Sequence, residues 1–390
     1  VYSLAAPPAG PGGDGRWSVL LDEAHNLPER ARDMYTARLA KADLMAARRG
    51  AGGTVKRALD RVNRALLVLA AEQWQEADQD CREVLPERLQ GALQGLVATV
   101  GEELVAEAGY LQRHPVLLDL YFDVHQWLRV AQHWGDDYRL LLDRGRGRQG
   151  LRLTLFCLDP SRLLQERQRA LHSVTALSAT LSPPSWMCSL LGLDDDVVCR
   201  RMASPFSPEQ LQVSLALAVD TRYRQRQASL PLLASQVNAW LQQQAGNCIV
   251  YFPSYRYLDE CVGQLGAVPG RHCWHQQPDQ GDSAREQLLQ LLEERRDVAA
   301  FCILGGVFGE GVDLPGERLA SVVVVGVGLP QVNRDRELLR QWYQQRRGHG
   351  FEFAYLYPGM QKVAQALGRV VRSGSDRGSA LLLDSRYGQG

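Results

Sequence analysis

Lysine is the scarcest charged residue of this chain, which has only Lys41, Lys56 and Lys362 among its 390 residues. None of the three lies in the pattern G-x-x-x-x-G-K-[ST], in which backbone amides and a lysine bind the phosphates of a nucleotide. The glycine-rich residues 10–15 contain no lysine, and we interpret them as a connector. The phosphate-binding loop of a nucleotide hydrolase is therefore absent from this sequence.

Long apolar runs, paired cysteines and net charge are absent as well. No run approaches the ~18 apolar residues that span a membrane, and no signal peptide begins the sequence. The eight cysteines are scattered without a C-x-x-C pair, which indicates reduced thiols rather than disulfides or a zinc ribbon. Because basic and acidic residues both number 44, any nucleic-acid site has to be a local cluster of charge. We therefore expect a soluble intracellular protein without a membrane partner.

An acidic turn follows the first apolar run. Residues 19–21 favour a short buried strand, and Asp22, Glu23 and His25 follow where that strand has to end. Open α/β sheets bind ligands at the carboxyl ends of their strands. In a nucleotide-hydrolysing motor, one acid at such a position binds Mg²⁺ on the phosphates and a second orients the attacking water. Asp22 fits the first role and Glu23 the second, although both would also suit the first turn of an ordinary helix.

A helical pattern comes next. Residues 34–44 are predicted to be helical, and residues 46–137 repeat apolar positions at helical spacing. Residues 138–142 and 151–158 are predicted strands joined by a turn rich in glycine and arginine. A further strand at 171–177 leads into the polar turn of Ser178 and Thr180.

The second half of the chain alternates apolar runs with helical stretches. The predicted strands cover residues 211–219, 248–252, 299–304, 319–327, 353–356 and 380–383. Strands separated by helices imply a mainly parallel sheet, and hence an α/β fold. The expected boundaries divide the chain into residues 1–45, 46–137, 138–206 and 207–390.

Two arginines near the carboxyl end are spaced for one helix face. Arg369 and Arg372 occur in Gln365-x-x-Gly-Arg-x-x-Arg, and residues three apart on a helix are neighbours. Paired guanidinium groups can neutralise the charge that develops on a transferred γ-phosphoryl. Gly368 would let another backbone approach closely. A solvated basic helix face is the alternative interpretation.

The segments 22–25, 178–180, 247–255, 305–313 and 365–372 occur in the order of a known set of motifs. They resemble the motifs of the XPD/DinG-like superfamily 2 DNA helicases, in particular the bacterial DinG-like branch. The resemblance extends over nearly the whole chain. It implies two RecA-like motor domains, the first of them incomplete, with an all-helical arch-like insertion. The segments are Asp22-Glu-Ala-His25, which resembles the Walker B or DEAH box, Ser178-Ala-Thr180, and residues 247–255, 305–313 and 365–372.

The resemblance also implies a role for each matched residue. ATP and Mg²⁺ would be bound by Asp22, Glu23, His25, Gly311, Asp313, Gln365, Arg369 and Arg372. Among these, Asp22 would hold the Mg²⁺ of ATP, Glu23 would activate water, and Arg369 and Arg372 would stabilise the transition state. Coupling of hydrolysis to movement would involve His25, Ser178 and Thr180. Single-stranded DNA would be contacted by Ser254, Tyr255, Gly309 and Glu310.

By the same resemblance, the protein is expected to be an ATP-dependent DNA helicase that moves 5′ to 3′ on single-stranded DNA. Its expected substrates are single-stranded and forked DNA, its partners repair or replication proteins, and its location the bacterial cytoplasm or nucleoid. A monomer is expected.

The sequence departs from the family pattern in two ways. The P-loop, and in some members the four cysteines of a [4Fe-4S] cluster, lie upstream of the acidic box in the family, and this sequence has neither. Cys81 does not belong to that set. Because the sequence starts at Val1 rather than Met, we expect a piece of a longer protein that is inactive as an ATPase without its P-loop.

Two other functions stay open on the sequence alone. One is a nucleic-acid-binding or scaffold module that keeps the motor fold without hydrolysis. The other is an RNA helicase of the same superfamily. The long insertion between residues 44 and 178 argues against an RNA helicase, because minimal RNA helicases keep the corresponding motifs close together.

Overall fold

The computed structural model describes residues 17–389 except 73, 75, 77, 146–149, 194–195, 279, 307–313 and 315. The chain divides into two compact units, Val1–Val198 and Cys199–Gly390. Both units contain parallel strands together with helices, so the predicted α/β fold class is confirmed. The division falls at 198/199, a few residues before the predicted boundary at 206/207.

The first unit contains two sheets. Its elements in the described residues are β1 (Ser18–Leu21), α1 (Leu27–Met34), β2 (Ala37–Ala40), α2 (Lys41–Gly50), α3 (Gly53–Ala71), β3 (Gln79–Arg82), α4 (Glu87–Ala106), α5 (Pro115–Ala131), β4 (Tyr138–Arg144), β5 (Leu151–Cys157), α6 (Ser161–Arg169), β6 (Ser173–Ala176) and α7 (Pro184–Leu191). Strands β1 and β6 form a parallel pair. Strands β2, β5, β4 and β3 form an antiparallel sheet in that order.

Helices α2 to α5 pack with the antiparallel sheet around one apolar core. In α3 the positions Val55, Leu59, Val62 and Leu66 are buried, as the helical spacing of the sequence predicted. The inward-facing leucines of β4 and β5 belong to the same core. The arch-like segment therefore has its own core, built from helices on one sheet.

Three details of the prediction for this unit are wrong. Residues 34–44 are not one helix, because β2 lies between α1 and α2. The insertion 46–137 is mainly helical but also contains β3, so it is not all-helical. Strands β4 and β5 pair with β3 and β2, which precede the predicted boundary at 137/138, so one sheet extends across that boundary. Strands of four residues are too short for their alternation to be recognised beside long helices.

The second unit is one six-stranded parallel sheet between two layers of helices. Its elements in the described residues are β7 (Leu211–Ala216), α8 (Arg226–Gln243), β8 (Cys248–Phe252), α9 (Tyr255–Leu265), β9 (His272–His275), α10 (Asp282–Glu294), β10 (Val298–Ile303), β11 (Ser321–Val325), α11 (Arg334–Arg347), α12 (Tyr357–Leu367) and β12 (Gly378–Leu383). The strand order is β7-β12-β11-β8-β10-β9. Among the described helices of the chain, none has the length and apolarity needed to cross a membrane.

Each face of this sheet has its own apolar core. Strand β8 is buried along its whole length, with Ile249 and Tyr251 in the core that includes α10 and α12. Cys248, Val250 and Phe252 belong to the opposite core, with α8 and α9. Strands covered on both faces appear in the sequence as continuous apolar runs, which is why residues 248–252 were predicted to the residue.

The predicted strand at 353–356 is wrong. Glu352–Leu356 forms one turn of π-helix that leads directly into α12. Phe353 is buried and its ring packs against that of Tyr343 on α11, at 5.2 Å between centroids. Short apolar runs suit a buried helix as well as a buried strand, and here the aromatic contacts decide for the helix.

Two glycines bring the start of α12 against the loop that follows β11. Gly328 has a φ of +67°, and a Cβ there would lie 2.6 Å from the carbonyl oxygen of Gly359. A Cβ on Gly359 would lie 2.9 Å from the carbonyl oxygen of Val327. Because no side chain fits at either position, the two backbones are in direct contact, and this contact orients α12.

We predict that Gly359→Ala lowers the free energy of unfolding of the second unit by about 1–3 kcal/mol, because the added methyl overpacks this contact. Gly263→Ala is the matched control, since Gly263 lies inside α9, where a Cβ would have no atom within 4 Å. It should raise stability by about 0.5–1 kcal/mol. Urea unfolding measures both, and equal stability of Gly359→Ala and wild type would show that the close approach is not required.

Candidate functional site

The acidic turn of the first unit is placed by the parallel pairing of β1 with β6. Ser18 to Leu21 pair in register with Ser173 to Ala176. Two further hydrogen bonds continue the pairing beyond the strands. The backbone N–H of Leu177 donates to the carbonyl of Leu21 at 2.8 Å, and that of Ala24 donates to the carbonyl of Leu177 at 3.0 Å. The turn after β1 therefore lies beside the polar turn that begins at Ser178.

Asp22 and Glu23 are exposed at the carboxyl end of β1. The carboxylate of Asp22 accepts the backbone N–H of Glu23 at 2.8 Å through Oδ1. Glu23 is the one non-glycine residue of the described chain with a positive φ, at 48°. A left-handed conformation costs an ordinary residue about 1–2 kcal/mol. Such strain is retained where the surroundings impose it, and it is often found at functional sites.

A single hydroxyl joins the acidic turn to the polar turn. Ser178 Oγ lies 2.7 Å from Nδ1 of His25, 3.3 Å from Oε2 of Glu23 and 3.3 Å from Oγ1 of Thr180. The imidazole of His25 also lies 3.2 Å from the Glu23 carboxylate. With its proton on Nδ1, His25 donates to Ser178, and the one hydroxyl proton of Ser178 is then available to Glu23.

This cluster is buried on one side and open on the other. The side chain of His25 is only 6% exposed, whereas that of Glu23 is 64% exposed. A change in the position or charge of the exposed Glu23 carboxylate can therefore be transmitted through the Ser178 hydroxyl to the buried imidazole of His25. The sequence predicted that Asp22, Glu23, His25, Ser178 and Thr180 belong together, and the structure brings all five side by side, whereas their roles stay predictions.

The two arginines of the second unit do not share a helix face, contrary to the prediction. Helix α12 ends at Leu367, and Arg369 lies in the turn that follows. Arg369 is only 7% exposed. Burial raises the pKa of the Tyr251 hydroxyl, and the positive charge of Arg369 opposes that rise, so the guanidinium lies near the interior of its own unit. Arg372 is exposed, and its backbone N–H donates to Asp376 at 2.8 Å.

The proposed reason for Gly368 is also wrong. A Cβ at this exposed position would lie 3.4 Å from the carbonyl oxygen of Ala364, an ordinary contact within the helix itself. Gly368 follows the last residue of α12 with right-handed backbone angles, φ −64° and ψ −7°, which do not themselves require glycine. Gln365 is half-buried one turn earlier.

The glycine-rich segment after β10 is described only at its start. Gly305 has a φ of +73°, and a Cβ there would lie 2.8 Å from the side chain of Lys362 on α12. The predicted contacts Gly309, Glu310, Gly311 and Asp313 lie outside the described residues. The described part is a turn at the carboxyl edge of the sheet, with the aliphatic part of a lysine lying against it.

Ser254 and Tyr255 have local roles that the sequence did not predict. Ser254 is the N-cap of α9 and accepts the backbone N–H of Tyr257 at 3.4 Å. The hydroxyl of Tyr255 accepts from Nε2 of Gln276 at 2.9 Å. Both residues are half-buried rather than exposed. Gln276 was missed because the strand before it, β9, was not among the predicted strands.

A buried ionic cluster at the carboxyl end of β12 was missed as well. Asp384 is fully buried and accepts from Arg386 at 2.7 and 2.9 Å and from the hydroxyl of Thr221. Burial by itself would raise the pKa of Asp384, but the hydrogen bonds from Arg386 and Thr221 outweigh it and hold this pKa below its usual value. The signal was the same as for Asp22, an acid directly after an apolar run.

Comparison with known proteins agrees with this architecture. Residues 237–390 match the protein family described as the helicase C-terminal domain. The regulator of telomere elongation helicase 1 homolog of Drosophila ananassae is 24% identical over 267 residues, which cover 60% of this chain and 26% of that protein. The homolog of Drosophila grimshawi is 26% identical over 155 residues, which cover 36% of this chain and 16% of that protein. The chain thus spans about a quarter, 26%, of the first of these relatives.

Solved structures with the same fold extend over both units. An XPD helicase superposes with a TM-score of 0.58 at 19% identity, covering 95% of this chain and 65% of that one. The Xpd4 protein of S. tokodaii superposes with a TM-score of 0.61 at 16% identity, covering 96% of this chain and 72% of that one. The chain therefore has the fold of these XPD proteins, and its residues 237–390 are similar to the helicase C-terminal domain family.

We predict that Asp384→Asn lowers the free energy of unfolding of the second unit by about 3–5 kcal/mol at pH 7, because it leaves Arg386 without its buried partner. A carboxyl whose folded pKa is depressed stabilises the fold above its unfolded pKa, and this contribution is lost as the pH falls through the folded pKa. The difference between the variant and wild type should therefore shrink below the usual carboxyl value of 3.8.

Denaturant unfolding between neutral pH and pH 3 measures this difference. Asp297→Asn is the control, because Asp297 forms an exposed ion pair with Arg295. It should cost less than about 1 kcal/mol at any pH. A penalty for Asp384→Asn that stays constant down to the lowest pH would contradict the assignment to the carboxylate charge.

Proposed function

We propose that this chain is the larger part of the motor of an ATP-dependent DNA helicase of the XPD/DinG type. The observation that carries the proposal is the cluster of Asp22, Glu23, His25, Ser178 and Thr180 at the carboxyl end of two parallel strands. Glu23 of the acidic pair contacts the second motif through the hydroxyl of Ser178, and this contact would link hydrolysis to a conformational change. The helicase C-terminal match in the second half supports the same proposal.

The substrate of the proposed reaction is ATP with its Mg²⁺. Asp22 fits the ion because it offers hard carboxylate oxygen at an exposed sheet edge, which is the ligand that Mg²⁺ prefers. Asp22 would bind the ion, and Glu23 would orient and deprotonate the attacking water. Gly311, Asp313 and Gln365 are proposed as further nucleotide contacts.

The two arginines receive different roles in the proposal. Arg372 is exposed and would neutralise charge on the γ-phosphoryl. Arg369 is buried near Tyr251 and would hold the turn that presents Arg372. Ser254, Tyr255, Gly309 and Glu310 are proposed to contact DNA.

The more specific parts of the proposed function rest on the resemblance to the helicase family. They are the DinG-like branch, 5′ to 3′ movement on single-stranded and forked DNA, repair or replication partners, a bacterial cytoplasmic location and a monomer. In some members of the family a [4Fe-4S] cluster lies upstream of the acidic box, and the proposal assigns none to the residues of this chain.

We predict that Glu23→Gln, made in the full-length protein, lowers DNA-stimulated ATP hydrolysis by about 10²–10⁴-fold, because water loses its general base. Glu29→Gln is the matched control, since Glu29 lies in the first turn of α1 and is exposed. It should keep the wild-type rate. If Glu23→Gln hydrolyses ATP as wild type does, the alternative of a non-hydrolysing nucleic-acid-binding or scaffold module becomes the better interpretation.

We further predict that Ser178→Ala separates hydrolysis from movement. The variant removes the hydroxyl between His25 and Glu23 but leaves both acids in place. It should reduce the number of base pairs unwound per ATP more than it reduces the rate of hydrolysis. Ser173→Ala on β6, whose hydroxyl donates to that of Ser18 at 2.9 Å, should change neither quantity. Equal losses of unwinding and hydrolysis in Ser178→Ala would remove the coupling role.

A further inference from the structure

Helix α3 has one buried face and one strongly basic face. Lys56, Arg57, Arg61 and Arg64 are exposed on the side opposite to its buried apolar residues. Residues 48–64 contain six basic residues and one acid, Asp60, although the whole chain is neutral. The excess of positive charge is therefore local to one surface of the arch-like segment.

Three of these residues form a straight line, which we call the α3 stripe: Arg57, Arg61 and Arg64. Their spacings of four and three residues place them on one face of the helix. At a rise of about 1.5 Å per residue, the stripe is roughly 10 Å long. Arg49, at the end of α2, is exposed as well.

The nearby carboxylates offset the charge of the stripe only in part, since the charge of Asp60 acts on Arg64 without forming an ion pair with it. Asp60 forms its ion pair with Arg48 from the neighbouring helix. Glu103 of α4 accepts the hydroxyl of Thr54. In the part of the chain that the structure describes, no carboxylate forms an ion pair with Arg57, Arg61 or Arg64. Like charges four residues apart destabilise a helix, so the fold gains nothing from this arrangement by itself.

The chemistry of the stripe selects a polyanion without selecting a sequence. Guanidinium groups bind phosphate oxygens in bidentate fashion. No aromatic side chain occurs in α3, and stacking of bases on aromatic rings is the usual means of binding single strands. Duplex DNA instead presents one negative charge per ~1.7 Å of its axis and can be bound by backbone contacts alone.

We propose that the α3 stripe binds the phosphate backbone of duplex DNA, namely the duplex arm of a forked substrate. This inference rests on the proposed function in one respect, that DNA is the substrate. It adds a surface that includes none of the motif residues. The stripe would hold the duplex arm independently of nucleotide and of base sequence.

The test is the salt dependence of DNA binding by this chain without nucleotide. The triple variant Arg57→Gln, Arg61→Gln, Arg64→Gln is compared with wild type on forked DNA between about 50 and 200 mM salt. Each lost contact with a duplex phosphate should reduce the magnitude of the slope of log Kobs against log salt by about 0.9. The magnitude of this slope should therefore be smaller by about 2–3 for the triple variant than for wild type. Binding to single-stranded DNA should keep its slope.

The matched control removes the same charge elsewhere. Arg113, Arg222 and Arg295 are exposed and each is paired, with Glu107, Asp220 and Asp297 respectively. Their triple change to Gln should leave the slope on forked DNA unchanged. An unchanged slope in the stripe variant, or an equal loss in the control variant, would overturn the proposal. If the stripe variant lost the same amount of slope on single-stranded DNA as on forked DNA, the assignment to the duplex arm would be overturned.

The outcome is separable from that of the proposed function. Failure of the helicase proposal would appear as ATP hydrolysis by the full-length protein that DNA does not stimulate, whatever the slope. Failure of the stripe would appear as normal DNA-stimulated hydrolysis with no change of slope in the stripe variant. Circular dichroism of the stripe variant should match wild type, because all three changed side chains are exposed.

Discussion

The parallel pairing of β1 with β6 is the interaction on which the proposed chemistry depends. It brings Ser178 within hydrogen-bonding distance of His25, 153 residues earlier in the chain. Joining positions so far apart costs entropy, but that cost grows only slowly with loop length. The intervening residues also fold on a core of their own, in which helices pack on the sheet of β2 to β5. A long insertion can therefore separate two motifs in sequence without loosening their contact.

The second unit uses buried amides to fix its loops. Asn247, fully buried at the start of β8, donates to the carbonyls of Leu292, Arg295 and Arg318 and accepts from the N–H of Val298. At the other end of the sheet, Gln276 accepts the N–H of Ile303 and donates to Tyr255. Buried polar groups that are fully hydrogen-bonded rigidify their surroundings. Asn247, the first residue of the matched segment 247–255, and Gln276, which lies outside the matched segments, thus fix loops at the two ends of this sheet.

Parts of the fold and of the candidate site could be predicted from the sequence wherever a single local pattern determines the structure. The buried strand at 248–252 and the acidic turn at 22–25 follow from an apolar run and from what comes directly after it. Arg369 was placed on a helix because its spacing from Arg372 suits one, whereas Gly368 was the signal that the helix had ended. The cluster around Asp384 depends on Thr221, far away in sequence, and no local pattern reveals such a partner.

Arginine illustrates why residue type alone does not define a site. Arg271 donates to the backbone carbonyls of Leu241 and Gly246 and so ties the start of β9 to the end of α8. Arg386 neutralises a buried carboxylate. Those two guanidinium groups have their hydrogen bonds satisfied inside the fold, and their loss would be seen as lost stability. Arg57, Arg61 and Arg64 lie on an exposed face without an ion pair of their own in the described residues, and their like charges repel one another. A ligand of opposite charge would relieve this repulsion, whereas the fold gains nothing from it, and the stripe therefore points to a polyanion.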